Sequence, residues 1–212
     1  DIEITATANL TSVNVSGDIT VTNGNVIFDG INENATSSST VITTTGASAQ
    51  FTTVKAASLT SSVSTGNASL SGVTSNTIVV TIPSTNTNGK ASLNAVQAAT
   101  SISVSGGAAR LYNVTCPSIG FTDVDITLIG VTSTPAPATG NNITLDENCT
   151  IKIGGIPGTT GTTAHPNTIG KINLPKNTSD AQIKFEILNQ DTDNSVLTLN
   201  NSTIGFVMES EP

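Results

Sequence analysis

Strict period-two alternation at the start of the chain constrains its fold more than any other feature. Ile2, Ile4, Ala6, Ala8 and Leu10 fall on every second position, and Glu3, Thr5, Thr7, Asn9 and Thr11 fill the gaps. One apolar and one polar face at this period make a β-strand. A first strand frays unless a sheet holds it. The reading taken from this stretch is that residues 1–11 are held by a sheet in the next copy of the protein.

Alternation recurs in short runs. Val13 and Val15 shift the apolar positions from even to odd, which places a bend, a bulge or a new strand near Ser12. Residues 19–22, Asn23-Gly24 and residues 25–28 read as a two-residue hairpin, since Asn-Gly supplies the positive φ angles of a type I′ turn. Residues 77–82 are apolar on both faces in their middle, as a central strand is, and Pro83 ends them. The best helix candidate is 90–99, where Leu93 and Val96 stand three apart among alanines. Ala181, Ile183, Phe185 and Ile187 alternate again near the end.

Many short strands with few helices predict an all-β fold, an antiparallel immunoglobulin-like or pilin-like β-sandwich. In this reading residues 1–11 protrude as a donor strand and 12–212 form the sandwich body. A Pro/Thr-rich stretch at 133–140 is the linker if the body has two lobes. The Thr/Ser/Val texture also resembles a β-solenoid. No constant repeat length appears, so that fold ranks second.

Charge is scarce, at 10% of the 212 residues, against roughly 25% in an average soluble protein. Ser and Thr together number 61 and Asn 22, so neutral hydrogen-bonding groups take the place of charge on the surface. The net charge is −8. There is no basic patch, which argues against nucleic acid as a partner. No long apolar stretch predicts a membrane span. A surface of amides and hydroxyls has few carboxylates to lose on acidification, which fits an acid-exposed exterior. The chain begins at Asp1, as a mature exported protein does after leader removal.

Cys116 shares parity with Tyr112 and Val114, and Cys149 with Ile151 and Ile153. Both thiols are thus expected among apolar neighbours, joined as a disulfide in an exported chain. Closing about a 33-residue loop contributes on the order of 3–4 kcal/mol in the chain-entropy model. Asn-x-Ser/Thr sequons occur at Asn9, Asn14, Asn34, Asn67, Asn113, Asn142, Asn148, Asn177, Asn200 and Asn201. Asn113 and Asn148 alternate with the residues expected to face inward, so they should point outward. N-linked glycans are expected on several of the ten. No other cofactor is expected.

Catalytic chemistry is not apparent. His165, the only histidine, sits in a Gly/Thr loop without evident partners for a zinc site or a triad. Residues 154–158 are glycine-rich but lack the Gly-Lys-Ser/Thr and the helix of a phosphate loop. Residues 191–195 begin like a calcium loop, yet Val196 stands where glycine is needed and Ser202 where glutamate is needed. Asp123 and Asp125 share a strand face, but one Tyr and no Trp leave no sugar platform for a glycosidase. The chain reads as a non-enzyme.

A Ser/Thr/Asn-rich, sequon-dense, charge-poor β-protein with an alternating first strand resembles the subunit of archaeal surface filaments, the "threads" of Sulfolobus-type thermoacidophiles. The resemblance lies in texture along the whole chain and in no short motif. It implies a type 1 pilin-like fold and an N-glycosylated, extracellular filament built head to tail by donor-strand complementation. Ile2, Ile4, Ala6, Ala8 and Leu10 would be the donor face, filling a neighbour's groove by β-augmentation. Ile204, Phe206 and Met208 are the expected wall of that groove. The expected partner is another copy of the chain. The competing readings are a monomeric surface or carbohydrate-binding adhesin module whose first strand pairs at home, and a β-solenoid segment of a surface layer or secreted enzyme.

Overall fold

In the computed structural model, described for residues 1–33, 40–133, 143–145, 149–154, 167–169, 172–173, 184–188 and 197–198, the chain winds as a β-solenoid of nine stacked coils. Coil 1 holds β1 (Ile2–Ile4), β2 (Ala8–Thr11) and β3 (Asn14–Val15). Coil 2 holds β4 (Ile19–Val21), β5 (Asn25–Asp29) and β6 (Asn32–Glu33). β7 (Val41–Gly46) and β8 (Ser48–Thr52) follow. Then β9 (Lys55–Val63) bends from the third side of coil 3 into the first side of coil 4, ahead of β10 (Ala68–Ser71). β11 (Thr74–Thr81) and β12 (Lys90–Asn94), then β13 (Gln97–Ser105) and β14 (Ala108–Tyr112), repeat this pattern. β15 (Ser118–Thr122), β16 (Asp125–Ile129) and β17 (Thr132–Ser133) make coil 7. Coils 8 and 9 hold β18 (Ile143–Leu145), β19 (Thr150–Gly154) and β20 (Asn167–Ile169), then β21 (Ile172–Asn173), β22 (Lys184–Leu188) and β23 (Leu197–Thr198).

The first side of every coil joins one nine-stranded sheet, in the order β1-β4-β7-β9-β11-β13-β15-β18-β21. The second side joins another, β2-β5-β8-β10-β12-β14-β16-β19-β22. The strands of both sheets pair in parallel. At about 4.8 Å per coil the stack is a rod of roughly 40 Å.

The register explains why these residues stack. Along the first sheet Ile2, Ile19, Ile42, Leu59, Ile78, Ile102, Ile119, Ile143 and Ile172 fall opposite one another. Along the second, Leu10, Phe28, Phe51, Leu70, Leu93, Leu111 and Leu128 do the same. Beside that column a smaller one runs through Ala8, Val26, Ala49, Ala68, Ala91 and Ala109. These columns make one continuous buried core. Phe28 and Phe51 stack edge to face, with centroids 5.6 Å apart at 79°. A one-residue slip would turn a whole apolar column outward, so the register is strongly specified.

The corner after the second sheet repeats chemically. Two residues beyond each Leu or Phe of that column the backbone turns left-handed: Ser12 (φ 55), Gly30 (66), Thr53 (52), Gly72 (62), Ala95 (50), Asn113 (52) and Gly130 (63). Each is followed by Val or Ile, from Val13 to Val131. The amides of the corner residues from Ser12 to Asn113 donate to the next coil: Ser12 to the Asp29 carbonyl (2.8 Å), Gly30 to Thr52 (2.9 Å), Thr53 to Ser71 (2.8 Å), Gly72 to Asn94 (3.0 Å), Ala95 to Tyr112 (3.0 Å) and Asn113 to Ile129 (2.9 Å). The left-handed kink keeps these backbone groups paired where the sheet ends. At the opposite corner, between the two sheets, a Cβ on Gly46 would collide with the Gly24 carbonyl.

The structure corrects several expectations. The fold is all-β, but it is a parallel solenoid and not an antiparallel sandwich. Period-two alternation is the same in either architecture, because it reports only which face is buried. Residues 1–11 are no single protruding strand: β1 pairs with β4 and β2 with β5, within the same chain. Asn23-Gly24 does not close a hairpin. Gly24 (φ 83) turns the corner between β4 and β5, which lie in different sheets. The helix expected at 90–99 is β12 and the start of β13, with Ala91 and Ala98 in the core. The bend at Ser12 is a corner, and β11 is the central strand of its sheet. Most of the expected linker at 133–140 lies outside the described residues.

Candidate functional site: the two outer faces of the solenoid

The core ladders leave alternate residues pointing outward, and the two sheets use them differently. On the first sheet, coils 3 to 7 present three outward columns. Val41, Ser58, Thr77, Ser101 and Ser118 form the first. Thr43, Thr60, Val79, Ser103 and Gly120 form the second, and Thr45, Ser62, Thr81, Ser105 and Thr122 the third. Twelve of these fifteen residues carry a hydroxyl and none carries a charge. Each is half-buried or exposed, while the residues between them are buried. Thr–Thr and Thr–Ser neighbours at strand spacing support each other modestly, and β-branched threonine holds few rotamers.

Over the same coils the second sheet is chemically mixed. Lys90, Arg110 and Asp125 are exposed on it, among outward Gln50, Asn94 and Tyr112 and the hydroxyls of Ser69, Ser92 and Thr127. Ile27 stands exposed on this sheet one coil earlier, at 38%.

The sequence-predicted residues scatter over this frame. Of the donor face, Ala8 is buried, Ile2, Ile4 and Leu10 are partly buried against the core of their own chain, and Ala6 is exposed in the turn between β1 and β2. Cys116 and Cys149 are both buried. Cys116 lies just before β15, where coil 7 enters the first sheet. Cys149 lies just before β19, where coil 8 enters the second. Both thiols face inward, as their parity predicts, but they sit at different corners and the expected disulfide does not join them. Burial pushes the Cys116 thiol up from 9.0 to about 11, opposed by backbone hydrogen bonds with Ser118 and Ile102. Its Sγ donates to the Ser118 carbonyl at 3.0 Å.

Four sequon asparagines lie in described segments, and all four are exposed: Asn9, Asn14, Asn67 and Asn113. Asn9 is on the second sheet, Asn14 on the third side, and Asn67 and Asn113 at the corners that flank the second sheet. The Asn67 Oδ1 accepts the Lys90 amide at 2.9 Å, so the folded chain already uses that side chain. Asn34, Asn142, Asn148, Asn177, Asn200 and Asn201 lie outside the described residues. So do Ile204, Phe206 and Met208, together with His165 and residues 191–195. Asp123 turns a corner (φ 53) and Asp125 starts β16. Among the described residues no group of three or more His, Cys, Asp or Glu could hold a metal ion. No helix among them is long and apolar enough to cross a membrane.

Comparison with protein-family models, with curated proteins and with solved structures gives no match. Sequence reasoning missed the hydroxyl face because the spacing of its rungs is irregular. The ladder from Ile2 to Ile172 advances by 17, 23, 17, 19, 24, 17, 24 and 29 residues. The recoverable signal was the short motif Leu/Phe-x-x-Val/Ile, whose internal spacing is constant through seven coils.

Proposed function

We propose that this chain is a structural module of an extracellular filament, N-glycosylated on its exposed sequons, whose copies join head to tail by stacking coil on coil. The observation that supports this reading is the ladder itself. Coils 1 to 7 repeat the same inward apolar positions, from Ile2 to Ile119 and from Leu10 to Leu128, so the lower edge of one coil complements the upper edge of another. A heterologous contact of that kind does not close, and repeated it gives a fibre. Stacking replaces strand donation in this proposal, because β1 and β2 already pair within the chain. Ile2, Ile4, Leu10 and Val13 of coil 1 are only partly buried, whereas Ile19, Val21, Phe28 and Ile31 of coil 2 are fully buried.

The test is electron microscopy and sedimentation of the purified 212-residue chain against the double variant Ile4→Lys/Leu10→Lys. The parent should form rods many subunits long, and the variant should remain short. Long rods from both, or from neither, would refute stacking through this edge.

A further inference from the structure

We infer that the hydroxyl face of the first sheet is a lateral pairing surface for a second copy of the chain, laid face to face about a twofold axis near Val79. The inference concerns the side of the rod. It deepens the filament reading by naming how rods would bundle, and it can be tested on rods that do not stack.

Three observations carry it. The first is charge. The chain has a net charge of −8, so two copies repel wherever their carboxylates meet. The five strand segments that form this face contain no Asp, Glu, Lys or Arg. Asp18, whose Oδ1 accepts the Val41 amide at 2.9 Å, and Asp123, next to Thr122, stand at its borders, so a second copy meets no ion over the middle of the face.

The second is self-complementarity. An isologous contact requires a surface that satisfies a copy of itself. A hydroxyl is both donor and acceptor, so a Ser/Thr face meets its own image without leaving donors opposite donors. A sugar polymer would call for aromatic platforms, and the only aromatic in these segments, Phe121, is buried. Val79 is the middle residue of the middle column in this five-coil grid. An axis through it sets apolar against apolar at the centre, with hydroxyls around, and brings Thr60 of one copy opposite Ser103 of the other. That is the arrangement of an apolar core within a polar rim.

The third is where the sequons fall. Among the described residues, no sequon asparagine lies on the first sheet, while Asn9, Asn67 and Asn113 lie on or beside the second. A glycan on those residues would leave the hydroxyl face clear.

The area sets the strength. Five coils by five residues cover about 400 Å² per copy, below the roughly 800 Å² per partner of a standard stable interface. Pairing of isolated chains is therefore weak, and it becomes firm when many faces align along two rods.

The experiment uses the full chain carrying Ile4→Lys/Leu10→Lys, so that end stacking does not contribute. Val79→Cys is introduced for the first sheet and Gln50→Cys for the second, and each protein is oxidised at high concentration. Cys116 and Cys149 are buried, and the background without a new cysteine measures their contribution. The expected result is a covalent dimer as the main species for Val79→Cys and its near-complete loss for Gln50→Cys. Sedimentation should show reversible dimerisation that Thr60→Lys abolishes and Ser69→Lys leaves intact, with unchanged circular dichroism. Equal crosslinking from both sheets, or monomers throughout, would overturn the inference. The filament reading fails separately, if the parent chain forms no rods.

Discussion

The two long sheets bury nearly the same thing and show the solvent different things. Inside, the first contributes a column of Ile and Leu, and the second a column of Leu and Phe beside one of mostly Ala. Outside, one is a neutral field of Ser and Thr, and the other mixes Lys90, Arg110, Asp125 and Tyr112 with amides and hydroxyls. The core requires only that outward residues tolerate a strand. The inward pattern therefore explains why the chain folds, and the outward difference is where a function can be written without cost to folding.

That comparison can be broken first from within. Ile78→Ala in the first sheet and Leu93→Ala in the second both empty a fully buried ladder position in coil 5. Each should cost about 2–5 kcal/mol, by similar amounts, in denaturant unfolding. A large difference between them would show that the two sheets do not share one cooperative core.

The inward columns also differ at one point. Thr44 and Ser61 replace the aliphatic residues found at Val21, Val80 and Val104, and the Thr44 Oγ1 lies 3.1 Å from the Ser61 Oγ. Both are buried. Ser61→Ala alone leaves the threonine hydroxyl with only its long bond to the Thr60 carbonyl (3.5 Å) and should cost about 1 kcal/mol. Thr44→Val together with Ser61→Ala should recover most of that loss. Additive losses in this double-mutant cycle would mean that the hydroxyls act independently.

The corner that joins the second sheet to the third side is a neutral control. Gly72→Val puts a β-branched residue at φ +62, and should cost on the order of 1–2 kcal/mol. Thr53→Gly removes that strain at an equivalent corner (φ 52) and should leave the protein as stable or slightly more so, by thermal melting. If Thr53→Gly destabilises strongly, the threonine side chain has a role that the corner geometry does not reveal.

Outward substitutions should be the quietest in stability. Thr60→Lys and Ser69→Lys should each shift it by less than about 0.5 kcal/mol, whatever they do to association. A titration effect is confined to alkaline pH. The Cys116 thiol is raised from 9.0 to about 11, so as pH rises the unfolded chain loses that proton first. The stability that this thiol contributes is complete below pH 9.0 and is lost as pH climbs toward about 11. Cys116→Ala should flatten the decline in alkaline unfolding curves.

Much of the local structure was legible in the sequence. Alternation marked the strands, the parity shift at Ser12 marked a corner, and the doubly apolar 77–82 marked the centre of a sheet. Topology was not legible, because a half-buried strand reads alike whether its partner is the next strand or one a full coil away. Asn23-Gly24 supplied a left-handed turn and invited a hairpin, although positive φ serves a solenoid corner equally well. The alanines of 90–99 suggested a helix because nothing local says that Ala91 and Ala98 fill the narrow parts of a parallel core. Unequal coil lengths, from 17 to 29 residues along the first ladder, hid the repeat. The hydroxyl face, spread over five separate segments, emerges only when the register aligns them.

The pairing distances have a consequence for how the rod comes into being. Each strand of the first sheet meets a partner less than thirty residues upstream, and each coil touches mainly its two neighbours. A chain fed out from its amino end therefore need not wait for its last residue. Every finished coil is a template with open hydrogen bonds and an exposed apolar column, onto which the next segment can settle. Growth in that order turns folding into an advancing front that resists backward slippage of the segments already wound.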